Sequence, residues 1–181
     1  MGMKETLLEV KAKGRLVSLH SKPENWNKCC VGYVDCVSDE HVRLRAISVY
    51  GEAAGYEVRR LSEIFKIEFD GQYTKKIEKL NQNQGSVFKE VKLYEKSSGD
   101  LVRETLESAR HESVLVVVWG NDPDDSLVGY VDKIETDLLT IRLVDEFGVD
   151  DGVSVIRFEE ITDVDFNTRS EQARIFLHKN R

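Results

Sequence analysis

The 181-residue sequence lacks a long apolar run and has few cysteines, and each absence argues against a class of protein. No apolar segment approaches the ~18 residues that a membrane-spanning helix needs, so we predict no membrane association. The three cysteines, Cys29, Cys30 and Cys36, are an odd and clustered set, which is a poor disulfide framework. The first residues also lack the order of a secretory signal. We therefore predict a cytoplasmic protein.

Motifs of catalysis and of cofactor binding are missing too. The sequence has no nucleophile elbow, phosphate-binding glycine loop, His-Glu-x-x-His or dinucleotide-binding fingerprint. No Cys-x-x-Cys pair occurs, and the four histidines are dispersed, which we interpret as surface positions rather than a zinc site. Two acidic loops, 121–126 and 145–152, lack the calcium-loop pattern. We therefore expect no enzyme, cofactor, metal ion or small-molecule substrate.

Charge is distributed unevenly along the chain. Residues 1–84 contain 14 Lys and Arg against 12 Asp and Glu, a balance of +2. Residues 85–181 contain 12 against 21, a balance of -9. A polyanion such as RNA would therefore prefer the first half.

The string VGYVD occurs twice, at 31–35 and at 128–132. Residues 14–80 align with 111–177 without a gap, and 15 of the 67 positions are identical, whereas average composition gives about 4 by chance. The period is too long for a solenoid repeat. The chain is therefore predicted to be a tandem duplication of one domain.

Each copy is predicted to contain five short strands preceded by a short helix, because β-branched and apolar segments alternate with loops that contain glycine or proline. In the second strand Val34 and Val37 are three positions apart rather than two, which predicts a bend. Gly32 and Gly129 would let that strand lie close to a neighbour. The segments after the fifth strands are interpreted as terminal helices or docked segments.

The domain boundaries follow from this alignment. We predict a first domain at 1–80, a linker at 81–99 and a second domain at 100–181. Ser98 or Asp100 is expected to cap the second helix. The linker is not purely polar, and we expect its apolar residues to pack between the domains: Val87, Phe88, Val91 and Tyr94.

A short helix, five bent strands, an early glycine in the second strand and a tight turn between the fourth and fifth resemble the Sm-like (LSm-type) small β-barrel. The segment GYVDCVSDEHVRL keeps the glycine spacing and Asp39. The resemblance covers about residues 4–72 and 101–169, and it implies a mainly β fold of two tandem five-stranded barrels. The Asp-x-x-x-Asn motif with which the family binds a base is not preserved, so the resemblance does not carry over uridine-type recognition.

Two groups of residues are candidates for special roles. Asp35 with Arg60, and Asp132 with Arg157, recur at equivalent positions, which predicts a bidentate pair between strands two and four. The second group is a possible nucleic-acid or partner surface in the first copy, in which arginines supply charge and aromatic rings supply stacking faces. Its members are Arg43, Arg45, Arg59, Tyr33 and Trp26.

Two functions are compatible with these features. The first is a non-catalytic protein-interaction or scaffold module that binds a protein partner or a second copy of itself, since exposed sheet edges can serve assembly. The second is binding of RNA or another single-stranded nucleic acid through the more basic first copy. An enzyme of unknown type is a third and weaker alternative, because no motif supports it.

Overall fold

The computed structural model describes residues 2–91, 99–122 and 125–181. The chain divides into two compact units, Met1–Gln84 and Gly85–Arg181, which we call unit 1 and unit 2. This boundary coincides with the change of charge balance in the sequence. Tyr94, Ser98 and residues 123–124 of the first acidic loop lie outside the described residues.

Unit 1 contains two helices and five strands, which are α1 (Met3–Ala12), β1 (Leu16–His20), β2 (Cys30–Val37), β3 (His41–Ile47), β4 (Ala53–Arg60), β5 (Lys66–Phe69) and α2 (Gln72–Gln82). The strands form one antiparallel sheet in the order β4-β3-β2-β1-β5. A 3-10 turn at Leu61–Glu63 connects β4 to β5 and confirms the predicted tight turn.

Unit 2 repeats this arrangement. After the short helix α3 (Gln84–Val87), its elements are α4 (Leu101–Glu112), β6 (Leu115–Trp119), β7 (Ser126–Ile134), β8 (Leu138–Val144), β9 (Asp150–Arg157), β10 (Asp163–Phe166) and α5 (Arg169–Lys179). The sheet order is β10-β6-β7-β8-β9, the same as in unit 1 when strands are matched by position. A second 3-10 turn, Phe158–Glu160, lies between β9 and β10.

Helices cover both faces of the first strand in unit 1. Leu7 and Val10 of α1 join the core on one face, and Ile77 of α2 packs with Leu16 and others on the opposite face. All five residues of β1 are buried in consequence. A strand covered on both sides needs no polar alternation, which explains the continuous apolar run in the equivalent β6.

The helices that precede and follow each sheet are fixed by local signals. Asp100 caps α4, since its side chain accepts from the backbone N–H of Arg103 at 3.0 Å. Thr168 and Glu171 form a reciprocal capping box at the start of α5. The segments predicted as helices or docked segments are therefore helices in both copies, and they pack on the sheets.

The segment that the sequence analysis assigned to the linker begins unit 2. Val91 packs against the core of unit 2. The ring centre of Phe88 lies 4.4 Å from the guanidinium carbon of Arg169, and Asn167 donates to the carbonyl of Lys89 at 3.2 Å. These residues are held by side-chain contacts, as a purely flexible tether would not be.

The repeated VGYVD string marks a close approach followed by a bulge. A Cβ atom at Gly32 would lie 2.5 Å from the backbone oxygen of Arg45, and one at Gly129 would overlap the backbone oxygen of Arg142. The register between β2 and β3 then shifts between Val34 and Cys36, and that between β7 and β8 shifts at the matching place. The predicted bend is confirmed, and the aspartate of the motif is the bulged residue.

The mainly β fold with two five-stranded sheets is confirmed, but both sheets are open. β4 and β5 form the two edges of the sheet in unit 1, as β9 and β10 do in unit 2. Within the described ranges, each of these four strands is paired with one neighbour. Backbone donors and acceptors along the other side of each edge strand are therefore left without a strand partner.

We expect Gly32→Ala and Gly129→Ala each to lower the free energy of unfolding by more than ~1 kcal/mol, because the added methyl group must displace the third strand. Equilibrium urea unfolding of the full chain measures this. Gly85→Ala and Gly120→Ala are the controls, since a Cβ atom meets nothing within 4 Å at Gly85 and only one oxygen at 3.5 Å at Gly120. Equal stability of all four variants would show that the motif glycines do not mark a close approach.

Candidate interaction face

The edge strands β4 and β9 expose apolar side chains on the face turned away from the core. Tyr56 and Val58 of β4 are 66% and 54% exposed. Val153 and Val155, at the equivalent positions of β9, are 62% and 61% exposed. We call these four residues the edge apolar pairs. Exposed apolar residues that recur at matching positions of an edge strand are suited to a contact with another chain.

The opposite face of β4 is polar, although it points toward the core. Glu57 lies opposite Leu44, and Arg59 lies opposite Val42, in the register with β3. Arg59 forms an ion pair with Glu57 and donates from Nε to Cys30 Sγ at 3.2 Å. Alternation therefore places Arg59 on the core side of the strand, so the structure does not bring it together with Arg43 and Arg45.

Arg43 and Arg45 lie on the outer face of β3, as alternation predicts. The guanidinium carbon of Arg45 lies 5.2 Å from the ring centre of Tyr33, its cross-strand neighbour. Arg43 donates from Nε to Asp35 Oδ2 at 2.5 Å, and its guanidinium carbon lies 5.9 Å from the ring centre of Tyr56. The structure thus brings Tyr33, Arg43 and Arg45 together on one face, with Asp35 offsetting one of the two positive charges.

The predicted pairing of Asp35 with Arg60 is wrong. Strand β3 lies between β2 and β4, so a side chain on β2 meets β3 first. Asp35 therefore pairs with Arg43. Arg60 is exposed at the end of β4 and forms no ion pair with another described residue.

The predicted pairing of Asp132 with Arg157 in unit 2 is wrong for the same reason. Asp132 pairs with Arg142 across β7 and β8, with Oδ1 and Nε 3.5 Å apart. Arg157 instead pairs with Glu159 at 3.3 Å. Arg142 also lies over Tyr130, 5.9 Å from its ring centre, so the tyrosine–arginine contact of unit 1 is duplicated.

Trp26 belongs to a different part of unit 1 from the arginines. Its ring centre lies 5.1 Å from that of Phe65, and the Nζ atom of Lys66 lies 5.7 Å from it. His20 lies in the same cluster, with its ring centre 6.1 Å from Phe65. His20 is only 3% exposed, so its interpretation as a surface histidine is wrong.

Both ring nitrogens of His20 are occupied by hydrogen bonds. Nδ1 lies 2.8 Å from the carbonyl oxygen of Trp26, and Nε2 lies 2.7 Å from Glu68 Oε2. Lys66, together with His20, holds the pKa of Glu68 below its usual range, so this carboxylate is ionised at neutral pH. The ring is thus held between a backbone carbonyl and a carboxylate, two groups that can only accept a hydrogen bond.

The thiols next to this cluster are protonated at neutral pH. Burial raises the pKa of Cys29 and that of Cys30 above their ordinary values. A thiol rather than a thiolate is a poor nucleophile. The geometry around β1 and β5 is therefore that of a packed structural cluster.

We expect His20→Ala to lower the free energy of unfolding by roughly 2–4 kcal/mol, because it removes a buried ring and two hydrogen bonds. His111→Ala is the control, since the His111 side chain is 62% exposed, and a change below about 0.5 kcal/mol is expected there. Chemical unfolding of both variants provides the comparison. A His20→Ala protein as stable as the parent would show that the cluster is not structural.

In the second acidic loop, Asp145 stabilises the turn in which it lies. Asp145 Oδ1 accepts from the backbone N–H groups of Phe147 and Val149, at 2.8 and 2.7 Å. Among the described residues, no group of three or more potential ligands is arranged to hold a metal ion.

An open depression of about 610 Å³ in unit 2 is lined by Trp119, Asp165 and their neighbours. Trp119 Nε1 donates to Asp165 Oδ2 at 2.9 Å.

Searches against protein-family models, curated proteins and solved structures found no match for this chain. Within the described part of the chain, no helix is long and apolar enough to cross a membrane. The sequence did not reveal the edge apolar pairs, because alternation separates the two faces of a strand without showing which face is covered. Their signal was the alternation itself in YEVRR and VSVIR.

Proposed function

We propose that this protein is a non-catalytic, cytoplasmic interaction or scaffold module built from two Sm-like units, and that β4 and β9 are its binding edges. The observation that carries this proposal is the edge apolar pairs. Each unit exposes two apolar side chains on the same face of the same edge strand. These apolar side chains recur in both units although neither unit buries them. A contact with another chain explains this best.

An edge strand can bind by adding a strand to its sheet. Its unpaired N–H and C=O groups supply backbone hydrogen bonds, and its alternate side chains supply specificity. The edge apolar pairs would be removed from water in such a contact, which favours association. Cross-strand apolar pairs contribute about 0.2–1 kcal/mol each, so several are needed for a stable complex.

The Sm-like part of the proposal is supported by the order of elements. Each unit has a helix, five antiparallel strands, a glycine at a close approach in the second strand and a 3-10 turn between the fourth and fifth strands. Closure of each sheet into a barrel would require pairing of its two edge strands.

RNA binding is the alternative function, and Tyr33 with Arg45 favours it. The pair presents a ring and a guanidinium on an exposed face of the more basic unit. Two observations weigh against it. Arg43 is already paired with Asp35, and Arg59 lies on the core side of β4.

To test the interaction function, we would substitute the edge apolar pairs with lysine: Tyr56, Val58, Val153 and Val155. We expect the quadruple variant to stay folded and to lose the proteins that co-purify with the parent after nuclease treatment, because charge on an edge strand blocks strand addition. Mass spectrometry identifies those proteins. The control carries lysine at Leu8 and Leu101, which are 45% and 73% exposed on helices. Loss of the same proteins from the control, or from neither variant, would contradict binding by the edges.

To test the RNA alternative, fluorescence anisotropy would be measured with a labelled single strand at ~150 mM salt. We expect binding no tighter than the ~10⁻⁶ M of non-specific contacts. Submicromolar binding that is lost in Arg43→Ala/Arg45→Ala and retained in Arg142→Ala would favour RNA over protein. Arg142 is the matched control because it occupies the position of Arg45 in unit 2.

A further inference from the structure

We propose that β4 of one copy of this chain pairs antiparallel with β9 of a second copy, with Tyr56 opposite Val155 and Val58 opposite Val153. This inference rests on the proposed function, and it names the partner and the register.

The register follows from the faces of the strands. Residues opposite each other in an antiparallel pair point to the same face. Tyr56 and Val58 are exposed on the outer face of β4, and Val153 and Val155 on that of β9. Pairing Tyr56 with Val155 places Val58 opposite Val153 and so brings all four side chains into contact. A shift by one residue would put each apolar side chain on the opposite face from its neighbour.

The duplication makes the backbone compatible with this register. Glu57 of unit 1 and Ser154 of unit 2 occupy equivalent positions, and in the proposed register they lie opposite each other. The contact therefore has a local pseudo-twofold axis at these two residues. β4 pairs with β3 in the same way as β9 pairs with β8. Equivalent residues of β4 and β9 therefore point their N–H and C=O groups in the same direction, toward or away from their own sheet. In the proposed register, residues of β4 with outward-pointing groups lie opposite residues of β9 that also have outward-pointing groups.

The net charges of the two units favour the unlike pairing over the two like pairings. In the proposed register Arg60 at the end of β4 lies opposite Asp151 near the start of β9, and both are exposed. A contact between two β4 strands would instead place Glu57 opposite its own copy and join two units of balance +2. A contact between two β9 strands would place Asp151 opposite Arg157, but it would join two units of balance -9. Opposite charges across strands are favourable and like charges unfavourable.

This contact joins two different surfaces, so it is heterologous. Each copy carries one β4 and one β9, so each copy has two such edges. Association can therefore continue beyond a pair, either into a closed assembly or into a chain of copies.

The test uses the full chain and exchanges the two charges. Arg60→Asp places two carboxylates opposite each other, and Asp151→Arg places two guanidinium groups there. We expect each single variant to weaken self-association about tenfold, measured by sedimentation velocity over a concentration series. The double variant Arg60→Asp/Asp151→Arg is expected to associate like the parent, as is an equimolar mixture of the two single variants. Circular dichroism checks that each variant is folded.

Several outcomes would overturn this inference. A parent chain that is monomeric at every concentration, or a double variant as weak as the single variants, would do so. Weakening by Asp151→Arg alone would indicate pairing of two β9 strands, in which Asp151 lies opposite Arg157. Weakening by Arg60→Asp alone would also overturn the inference, because Asp151 would then have no part in the contact. If the charge variants have no effect but lysines at the edge apolar pairs abolish association, the edges bind in another register and the proposed function stands. If neither set has an effect, self-association does not use these edges and the inference fails, while the co-purification experiment decides the proposed function by itself.

Discussion

The close approach of the second and third strands at Gly32 and Gly129 is the constraint on which the rest of each sheet depends. A side chain at either position would overlap the backbone of the neighbouring strand. The bulge that follows lets Val34 and Val37, which are three positions apart, both contact the core. Without the close approach and the bulge, the second strand could not keep its apolar side chains on one face while it bends.

The same geometry determines which surfaces are left uncovered. Helices pack on both faces of β1, whereas β4 lies three strands further along the sheet order. Its outer face carries Tyr56 and Val58 without a covering element, and its outer edge has no strand neighbour among the described residues. The unit thus combines a packed interior with one edge that can accept a strand. Unit 2 repeats both properties. Its charge balance is negative whereas that of unit 1 is positive, so the two edges favour partners of opposite charge.

The duplication, the helix before each sheet and the bend at VGYVD could be predicted from the sequence, because each has a local signal. The partner of Asp35 could not, since it depends on β3 lying between β2 and β4. Alternation separates the two faces of a strand but does not say which face is covered. For this reason the sequence did not show that Arg59 lies on a different face from Arg43 and Arg45, or that Tyr56 is exposed. The burial of His20 likewise depends on Glu68, which is 48 residues away in the sequence.

The central claim is that β4 and β9 bind by strand addition, and amide hydrogen exchange tests it most directly. Exchange at residues 56–60 and 153–157 would be compared between dilute and concentrated protein, with β3 at 41–47 as the internal reference because it is paired on both sides. The account predicts that protection of both edge segments rises with concentration, while that of the reference is unchanged. Association accompanied by new protection elsewhere, with the two edges exchanging as fast as in the dilute protein, would contradict it.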